Sequence, residues 1–288
     1  MSVRIAICHY LNYAYDRPVL VSPQLFRLRP AAHSTTLIES YSLTVIPHQH
    51  LMHWQQDAFG NFLARVDFQQ PIHEMAVTVD IVASISPGNP FDFIVESSAE
   101  HFPFVYDQQL KKDLSPYLDS TEHGPRLMQW LEKVNRSNQE IVEFLLMLTR
   151  MLHQDITYLI RMEPGVQTGE ETLVKESGSC RDSAWLLVQI LRHLGLASRF
   201  VSGYLIQLDL TDDQPETAKD TLSLHAWAEV YIPGAGWIGL DPTSGLLAAQ
   251  SHIPLACTSV PESAATLTGT TEPCETVFTY TGTVKRLS

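Results

Sequence analysis

The sequence contains few cysteines. Only four occur among its 288 residues, at positions 8, 180, 257 and 274, and no two of them form a CxxC pair. A secreted scaffold held together by disulfides would need a denser set, so this composition favours a reducing compartment. We therefore expect a cytoplasmic protein.

The sequence also lacks long apolar runs and an excess of positive charge. Its first 18 residues contain no continuous apolar stretch and no cleavage site of small residues, so they predict a strand rather than a signal peptide. The longest apolar segment, residues 141–160, is interrupted by charged residues and is too polar to span a bilayer. With 32 acidic against 19 basic residues, the net charge of −13 would repel nucleic-acid phosphates. We expect neither a membrane nor a nucleic-acid partner.

The first third of the chain has the pattern of β-strands. Residues 1–86 contain segments with β-branched residues at a period of two, and a hairpin turn is predicted around residues 57–61. Several short strands joined by turns are typical of an antiparallel sandwich or a small barrel. The stretch "SPGNPFDF" at residues 86–93 would stop both helix and strand. We therefore predict a β-rich domain over residues 1–88 and a second domain over residues 89–288.

The second part of the chain is predicted to contain helices first and strands afterwards. A helix should start after Pro125, another should cover about 137–153, and a third should cover about 180–194 and end before Gly195. The segments "SRFVSGYLIQL", "HAWAEVYIP" and "GWIGLDP" follow as strands. This order predicts an α+β fold, with helices followed by an antiparallel sheet.

One cysteine lies at the predicted start of a helix. Ser179 is a good N-cap residue and Asp182 stands three residues later, which places Cys180 at the first helical position. The unpaired N–H groups and the helix dipole at such a position favour a thiolate, and the same N–H groups can bind an oxyanion. The alternative is a small buried residue that starts a core helix. Position alone does not decide between these interpretations.

A thiolate nucleophile needs a base, and the base needs a group that orients it. His225 opens a predicted strand, and the returning strand "WIGLD" ends at Asp241. Neighbouring strands lie about 4.8 Å apart, so the carboxylate can reach the imidazole. Each residue alone would be weak evidence, since an Asp before a proline is often only a turn former.

These segments together resemble a known family. "GSCRDSAWLLVQILRHLGLASRFVSGYL" followed by "HAWAEVYIPGAGWIGLDPTSG" resembles the transglutaminase-like superfamily of papain-type cysteine enzymes. The shared pattern is G-x-C-x-D at a helix start, then L-R-x-L-G, H-A-W-x-E and D-P-T. The resemblance implies a papain-like core in which Cys180 is the nucleophile, His225 the general base and acid, and Asp241 the group that orients the imidazole.

The N-terminal part carries a second resemblance. "YDRPVLVSPQLFRLRP" and "WQQDAFGNFLARVDF" resemble the β-rich N-terminal region of bacterial transglutaminase-like proteins that are described as proposed cysteine proteases. "SHIPLACTSVPESAA" followed by "EPC" resembles the long members of that group. Two alternatives therefore stay open: a chain of this length, or an N-terminal fragment whose partner domains lie elsewhere.

The favoured function is that of a thiol enzyme on a peptide or protein substrate. Cys180 would attack a peptide, isopeptide or other amide carbonyl, and water would release the acyl group. No calcium loop of the D-x-D-x-D-G type is present, which disfavours a calcium-dependent crosslinking enzyme, and we expect no cofactor. The alternatives are an acyl transferase that accepts amines and a non-catalytic binding module on the same fold.

Several further residues have open roles. Gln167 and Tyr158 are candidates for the second oxyanion donor. The histidines of "HQHLMH", at positions 48, 50 and 53, could bind zinc, but no Cys or carboxylate completes a four-ligand set nearby, so we expect no metal. The acidic segment 209–223 is either a solvated loop or a mobile rim of the site.

Overall fold

The computed structural model describes residues 2–86, 88–161, 163–209 and 220–287. Antiparallel sheets at both ends of the chain flank a mainly helical middle part, and helices precede the sheet that carries the second predicted motif. The predicted α+β class is thereby confirmed.

The N-terminal part is built from strands, as the alternating pattern predicted. They are β1 (Val3–Val19), β2 (Gln24–Phe26), β3 (Leu37–Ile46), β4 (His50–Gln56), β5 (Phe62–Phe68) and β6 (Ile72–Ile85). Strands β4 and β5 form the predicted hairpin. Its turn is held by the Asp57 side chain, which accepts hydrogen bonds from the backbone N–H groups of Phe59 and Asn61, and Gly60 supplies a φ of +83°.

The middle part contains the helices. In chain order its elements are β7 (His101–Phe102), α1 (Gln108–Asp113), α2 (Ser115–Leu118), α3 (Pro125–Glu132), β8 (Gln139–Glu140), α4 (Ile141–Asp155), β9 (Thr157–Tyr158), α5 (Gly169–Lys175), β10 (Ser177–Gly178) and α6 (Cys180–His193). Helix α4 starts four residues later than predicted, because Gln139 and Glu140 pair with β7 as a short strand. Helix α6 has the predicted bounds to within one residue, and Gly195 has a φ of +80° after its end.

The C-terminal part contains β11 (Ser198–Gln207), β12 (Thr221–Ile232), β13 (Gly236–Asp241), β14 (Leu246–Leu247), β15 (His252–Thr258), a 3₁₀ turn (Pro261–Ala264), β16 (Leu267–Thr268) and β17 (Thr276–Arg286). Within the described residues, five of these strands form an antiparallel sheet in the order β14-β13-β12-β11-β15. Helix α6 packs on this sheet, and nearly all of its residues are buried. The sheet and the helix together form the core that carries the predicted site.

The last two strands complete the N-terminal sheets rather than the core sheet. The described strands there are ordered β17-β1-β6-β3 and β16-β2-β5-β4. Strand β17 pairs with β1 along eleven residues, from Ile5 opposite Arg286 to Tyr15 opposite Thr276. The sequence assigned the C-terminal strands to the second domain, because an alternating strand pattern does not identify its partner. The boundary between residues 88 and 89 stays a prediction.

The N-terminal sheets and the core sheet share apolar contacts. One buried cluster contains Ile5 and Ile7 of β1, Val66 of β5, Tyr204 of β11 and Ile253 of β15. This cluster connects the N-terminal sheets to the strands that border the predicted site.

Asn61 forms a second, polar connection between the two parts. Its side chain donates to the carbonyl of Cys257 at 3.1 Å and accepts from the N–H of Cys257 at 2.9 Å. The side chain thus pairs with β15 as a neighbouring strand would, and it is buried.

We predict that Asn61→Ala lowers the free energy of unfolding by about 2–3 kcal/mol, because it leaves a buried N–H and a buried C=O of Cys257 without partners. Urea denaturation of the variant and the wild type would measure this difference. Gln55→Ala, at an exposed position of β4, is the control and should have little effect. Equal stability of both variants would contradict the role of Asn61.

Candidate active site

Cys180 is the first residue of α6, as predicted. Asp182 accepts hydrogen bonds from the backbone N–H and the hydroxyl of Ser179, both at 2.8 Å. The N–H of Cys180 lies ahead of the helical hydrogen-bond ladder, at the positive end of the helix dipole. The cysteine is therefore placed where a thiolate and an adjacent oxyanion are both stabilised.

Asp182 is a buried carboxylate that fixes this helix start. Burial raises its pKa, but hydrogen bonds from Arg161, Gln167 and Ser179 outweigh it and hold the pKa well below its usual range. Arg161 donates to both carboxylate oxygens, at 2.8 and 3.0 Å. Gln167 donates to Asp182 through its backbone N–H and through its side-chain amide. That amide, one of the two predicted candidates for an oxyanion donor, is thus used within this network.

The structure brings His225 and Asp241 together with Cys180. His225 lies on β12 and Asp241 is the last residue of β13. His225 Nε2 lies 3.1 Å from Asp241 Oδ2, and Cys180 lies close enough to the imidazole to raise its pKa. All three side chains are largely buried. This is the arrangement of nucleophile, base and orienting group that covalent catalysis requires.

The charges of this group favour an imidazolium. Burial lowers the pKa of His225, but the hydrogen bond with Asp241, the neighbouring thiol of Cys180 and the charges of both groups raise it to about 9. Burial opposes ionisation of Asp241 in the same way, while hydrogen bonds from two histidines and Thr243 hold its pKa well below its usual range. His225 is therefore protonated at neutral pH, and it loses its proton as the pH rises through about 9.

Asp241 has a partner that the sequence did not predict. His252, the first residue of β15, places its Nε2 3.3 Å from Asp241 Oδ2, the same oxygen that His225 contacts. The other oxygen, Oδ1, accepts from the backbone N–H of Thr243 at 2.9 Å and from its hydroxyl at 2.7 Å. His252 lies eleven residues after Asp241, and only the turn between β14 and β15 brings it back, so no sequence motif indicates this contact.

Trp227 lies beside both histidines. Its ring centroid is 6.3 Å from that of His225, in a stacked arrangement, and 5.2 Å from that of His252, edge to face. Gly203 makes room for the indole, and Gly239 makes room for Ala248, which packs against the cluster of Trp227. A Cβ at Gly203 would lie 2.6 Å from the indole ring, and a Cβ at Gly239 would lie 2.6 Å from the side chain of Ala248.

Tyr158 is the second predicted candidate for an oxyanion donor, and it lies next to the helix start. Strand β9 pairs in parallel with β10, with Tyr158 opposite Gly178, two residues before Cys180. The side chain is about half exposed. Burial and then the charges of Cys180 and Asp241 raise the pKa of Tyr158, so the phenol is close to both and stays protonated.

The other cysteines have different surroundings. Cys257 is 1% exposed, and burial and the charge of Glu229 raise its pKa well above the usual value. Its sulfur lies 3.6 Å from Nε2 of His33, whose pKa is lowered, chiefly by burial. Both shifts favour a neutral thiol and a neutral imidazole. Burial and the neighbouring carboxylate of Asp80 likewise raise the pKa of Cys8.

Two groups of described residues place three possible metal ligands within 4.8 Å of one another. The first group consists of His33, Glu229 and Cys257. The guanidinium of Arg199 donates a hydrogen bond to Glu229 and lies 3.2 Å from His33. A cation there would be repelled.

The second group is His225, Asp241 and His252, whose nitrogens and oxygen form ordinary hydrogen bonds with one another. We assign neither group as a metal site. His50, one of the three histidines considered as zinc ligands, donates from Nδ1 to the carbonyl of Pro47 at 2.7 Å.

Two expectations from the sequence concern the surroundings of the site. Most of the acidic segment 209–223 lies outside the described residues, which exclude 210–219. Asp220 forms an ion pair with Arg286 at 2.7 Å.

Among the helices of the described residues, none has the length and apolar character needed to cross a membrane.

Comparison with known proteins confirms both resemblances. Residues 5–84 match the bacterial transglutaminase-like N-terminal region, and residues 128–242 match the transglutaminase-like superfamily. An uncharacterised protein of Mycobacterium tuberculosis strain H37Rv is 27% identical over 263 residues, which cover 87% of this chain and 82% of the relative. An uncharacterised Mycobacterium leprae protein is 22% identical over 257 residues, which cover 87% and 86%.

Among solved structures, a proposed cysteine protease from Cytophaga hutchinsonii superposes with a TM-score of 0.72 at 17% identity. The match covers 100% of this chain and 92% of that protein. At this identity the likeness shows the fold, and it extends over both the N-terminal sheets and the core.

We predict that iodoacetamide at pH 6 alkylates Cys180 of the native protein about tenfold faster than Cys8 or Cys257. At this pH His225 is protonated and can stabilise a thiolate beside it, whereas the other two thiols are held neutral. Peptide mapping by mass spectrometry would give the rate at each cysteine. His225→Gln is the matched control and should remove the advantage of Cys180; equal rates at all positions in the wild type would contradict an activated thiol.

Proposed function

We propose that this chain is a thiol enzyme that hydrolyses amide bonds in peptides or proteins. Residues 128–242 match the transglutaminase-like superfamily and residues 5–84 match the bacterial transglutaminase-like N-terminal region, which supports this proposal. The observation that carries the proposal is the position of Cys180 at a helix N-terminus beside His225, whose Nε2 is hydrogen-bonded to Asp241. A scaffold retained only for its shape has no need of all three groups.

The proposed reaction begins with the thiolate of Cys180. The sulfur attacks the amide carbon, a C–S bond forms, and the carbonyl electrons move onto the oxygen. The oxyanion then collapses, the C–N bond breaks, and protonated His225 gives its proton to the leaving amine. A thioester remains on Cys180. Neutral His225 next takes a proton from water, the hydroxide attacks the thioester, and the C–S bond breaks to release the acid and the thiolate.

Asp241 would keep the imidazole in the orientation that both steps need. Because Nε2 of His225 faces Asp241, Nδ1 is the nitrogen left for the thiol and the leaving group. The buried carboxylate also stabilises the imidazolium that forms when water is deprotonated.

The oxyanion needs hydrogen-bond donors that are in place before the reaction. The N–H of Cys180 is one donor, as at the start of any helix that carries a nucleophile at its first position. We propose the phenol of Tyr158 as the second, because the pairing of β9 with β10 holds it beside the helix start and its hydroxyl is protonated.

The surroundings of two tryptophans favour hydrolysis over transfer to an amine. A transferase needs a shield that keeps water from the thioester, and Trp227 and Trp237 are the candidates for it. Trp227 is buried under the histidines. Trp237 instead packs against Tyr117, Tyr231 and the guanidinium of Arg199. Among the described residues the two indoles thus pack in different clusters, which disfavours a shield for the thioester built from both. We also propose a cytoplasmic location, because the small number of cysteines favours a reducing compartment.

Incubation of peptide libraries with the wild type and with Cys180→Ala, followed by mass spectrometry, tests the reaction. We predict that the wild type releases free acids and that Cys180→Ala does not. With a working acyl donor and millimolar lysine methyl ester, free acid should still exceed the amine adduct. A majority of adduct would make the protein an acyl transferase, and an inactive wild type would favour a binding module.

Tyr158→Phe should lower kcat on the same substrate by about a hundredfold and leave KM within about twofold, because the lost donor acts on the oxyanion rather than on the bound substrate. Steady-state kinetics on the acyl donor found above would measure both constants. Tyr10→Phe, at a partly exposed position of β1, is the matched control. Unchanged kcat in Tyr158→Phe would exclude the phenol as a donor.

A further inference from the structure

Asp241 binds two histidines through a single oxygen. His225 Nε2 lies 3.1 Å from Oδ2, and His252 Nε2 lies 3.3 Å from the same atom. We propose that His252 is a positioning residue, which holds Asp241 in the orientation in which its carboxylate faces His225. This role rests on the proposed function of the Cys180 site and adds a residue that the sequence motifs do not contain.

The hydrogen bonds of His252 determine which of its nitrogens carries the proton. The backbone N–H of Ala249 points to Nδ1 at 3.3 Å, and the hydroxyl of Ser251 lies at the same distance from it. Since a backbone N–H can only donate, Nδ1 is the acceptor and the proton is on Nε2. His252 therefore donates to Asp241 as a neutral imidazole, and it does not compete with His225 for the role of base.

The N–H of His252 adds to the contacts that fix the carboxylate. Thr243 holds Oδ1 with two hydrogen bonds, while His225 and His252 both hold Oδ2. Rotation about the Cβ–Cγ bond of Asp241 moves both oxygens, so it would disturb the hydrogen bonds at both. His252 therefore raises the cost of turning Oδ2 away from the ring of His225.

The position of His252 depends on elements different from those that place Asp241. Asp241 ends β13, at one side of β12, whereas β15 adds to the sheet beyond β11. Strand β15 approaches closely enough because Gly203 has no side chain: a Cβ there would overlap the carbonyl of Ile253, which follows His252. The edge of Trp227 then packs against the ring of His252. The position is thus rigidly built and not a chance contact of a surface histidine.

The titratable groups around His225 and Asp241 come from three further elements. Cys180 faces them from α6, Tyr158 acts on them from β9, and His252 reaches them from β15, while His225 itself lies on β12. Of these, only His252 can be replaced without removing a group from the proposed reaction.

The test compares His252→Leu, which removes the donor, with His252→Gln, whose amide nitrogen can replace Nε2–H. We expect His252→Leu to lower kcat about tenfold with an unchanged KM, and His252→Gln to restore most of the loss. His252→Met is a second apolar variant in case Leu disturbs the packing against Trp227. The same two changes at His53, an exposed residue of β4, are the controls.

The pH dependence of alkylation by iodoacetate provides a measurement that needs no substrate. This anionic reagent reacts faster when an imidazolium lies beside the thiolate, so its rate falls as His225 loses its proton. In the wild type we expect this fall near pH 9, and in His252→Leu about one pH unit lower, because a displaced carboxylate stabilises the imidazolium less. His252→Gln should follow the wild type.

Identical alkylation profiles in folded His252→Leu and the wild type would overturn the proposal, as would an equal loss of activity in the Leu and Gln variants with no shift in pH. Failure of the proposed function is a separate result. A wild type that processes no acyl donor would contradict the enzyme, yet a shifted alkylation profile in His252→Leu would still support the positioning of Asp241.

Discussion

The ionised carboxylate of Asp182 is the constraint on which the site depends. It is buried, so it must be fully hydrogen-bonded, and its partners are the residues that surround the nucleophile: Arg161, Gln167 and Ser179. Through Ser179 it fixes the helix start that carries Cys180. Through Arg161 and Gln167 it fixes the loop that leads from β9 to α5. Removal of this charge would release both sides of the cleft together.

The described residues include two Cys–His pairs, and their surroundings give them opposite properties. Beside Arg199 and Glu229, the pKa of Cys257 is raised and that of His33 is lowered, which favours the neutral pair. His225 is more deeply buried than His33, but Asp241 compensates for the loss of water and raises its pKa. The difference therefore does not come from the Cys–His contact. It comes from a carboxylate that is held by four donors and can remain ionised in the interior.

Local signals in the sequence predicted the local parts of the structure. Ser179 with Asp182 and the terminal Gly195 gave the bounds of α6, and the turn at residues 57–61 gave the first hairpin. The antiparallel return after residues 233–236 correctly placed Asp241 near His225, because a tight turn leaves little freedom of register. Contacts between distant segments were not predictable in this way. The approach of His252 depends on a missing side chain at Gly203, and the pairing of β17 with β1 joins segments far apart in the chain that carry no motif for each other.

The return of the last strands to the first sheets has a consequence for biosynthesis. All strands of the core sheet, and α6 beside them, precede residue 259, so this sheet can assemble while the remaining chain is still in the ribosome. Strand β1 has to wait for β17, which is translated almost a full chain length later. Until then one edge of a long strand stays unpaired, and such an edge invites pairing with other chains. Closure of the N-terminal sheet therefore comes last, and it is slow because it joins segments that are distant in the chain.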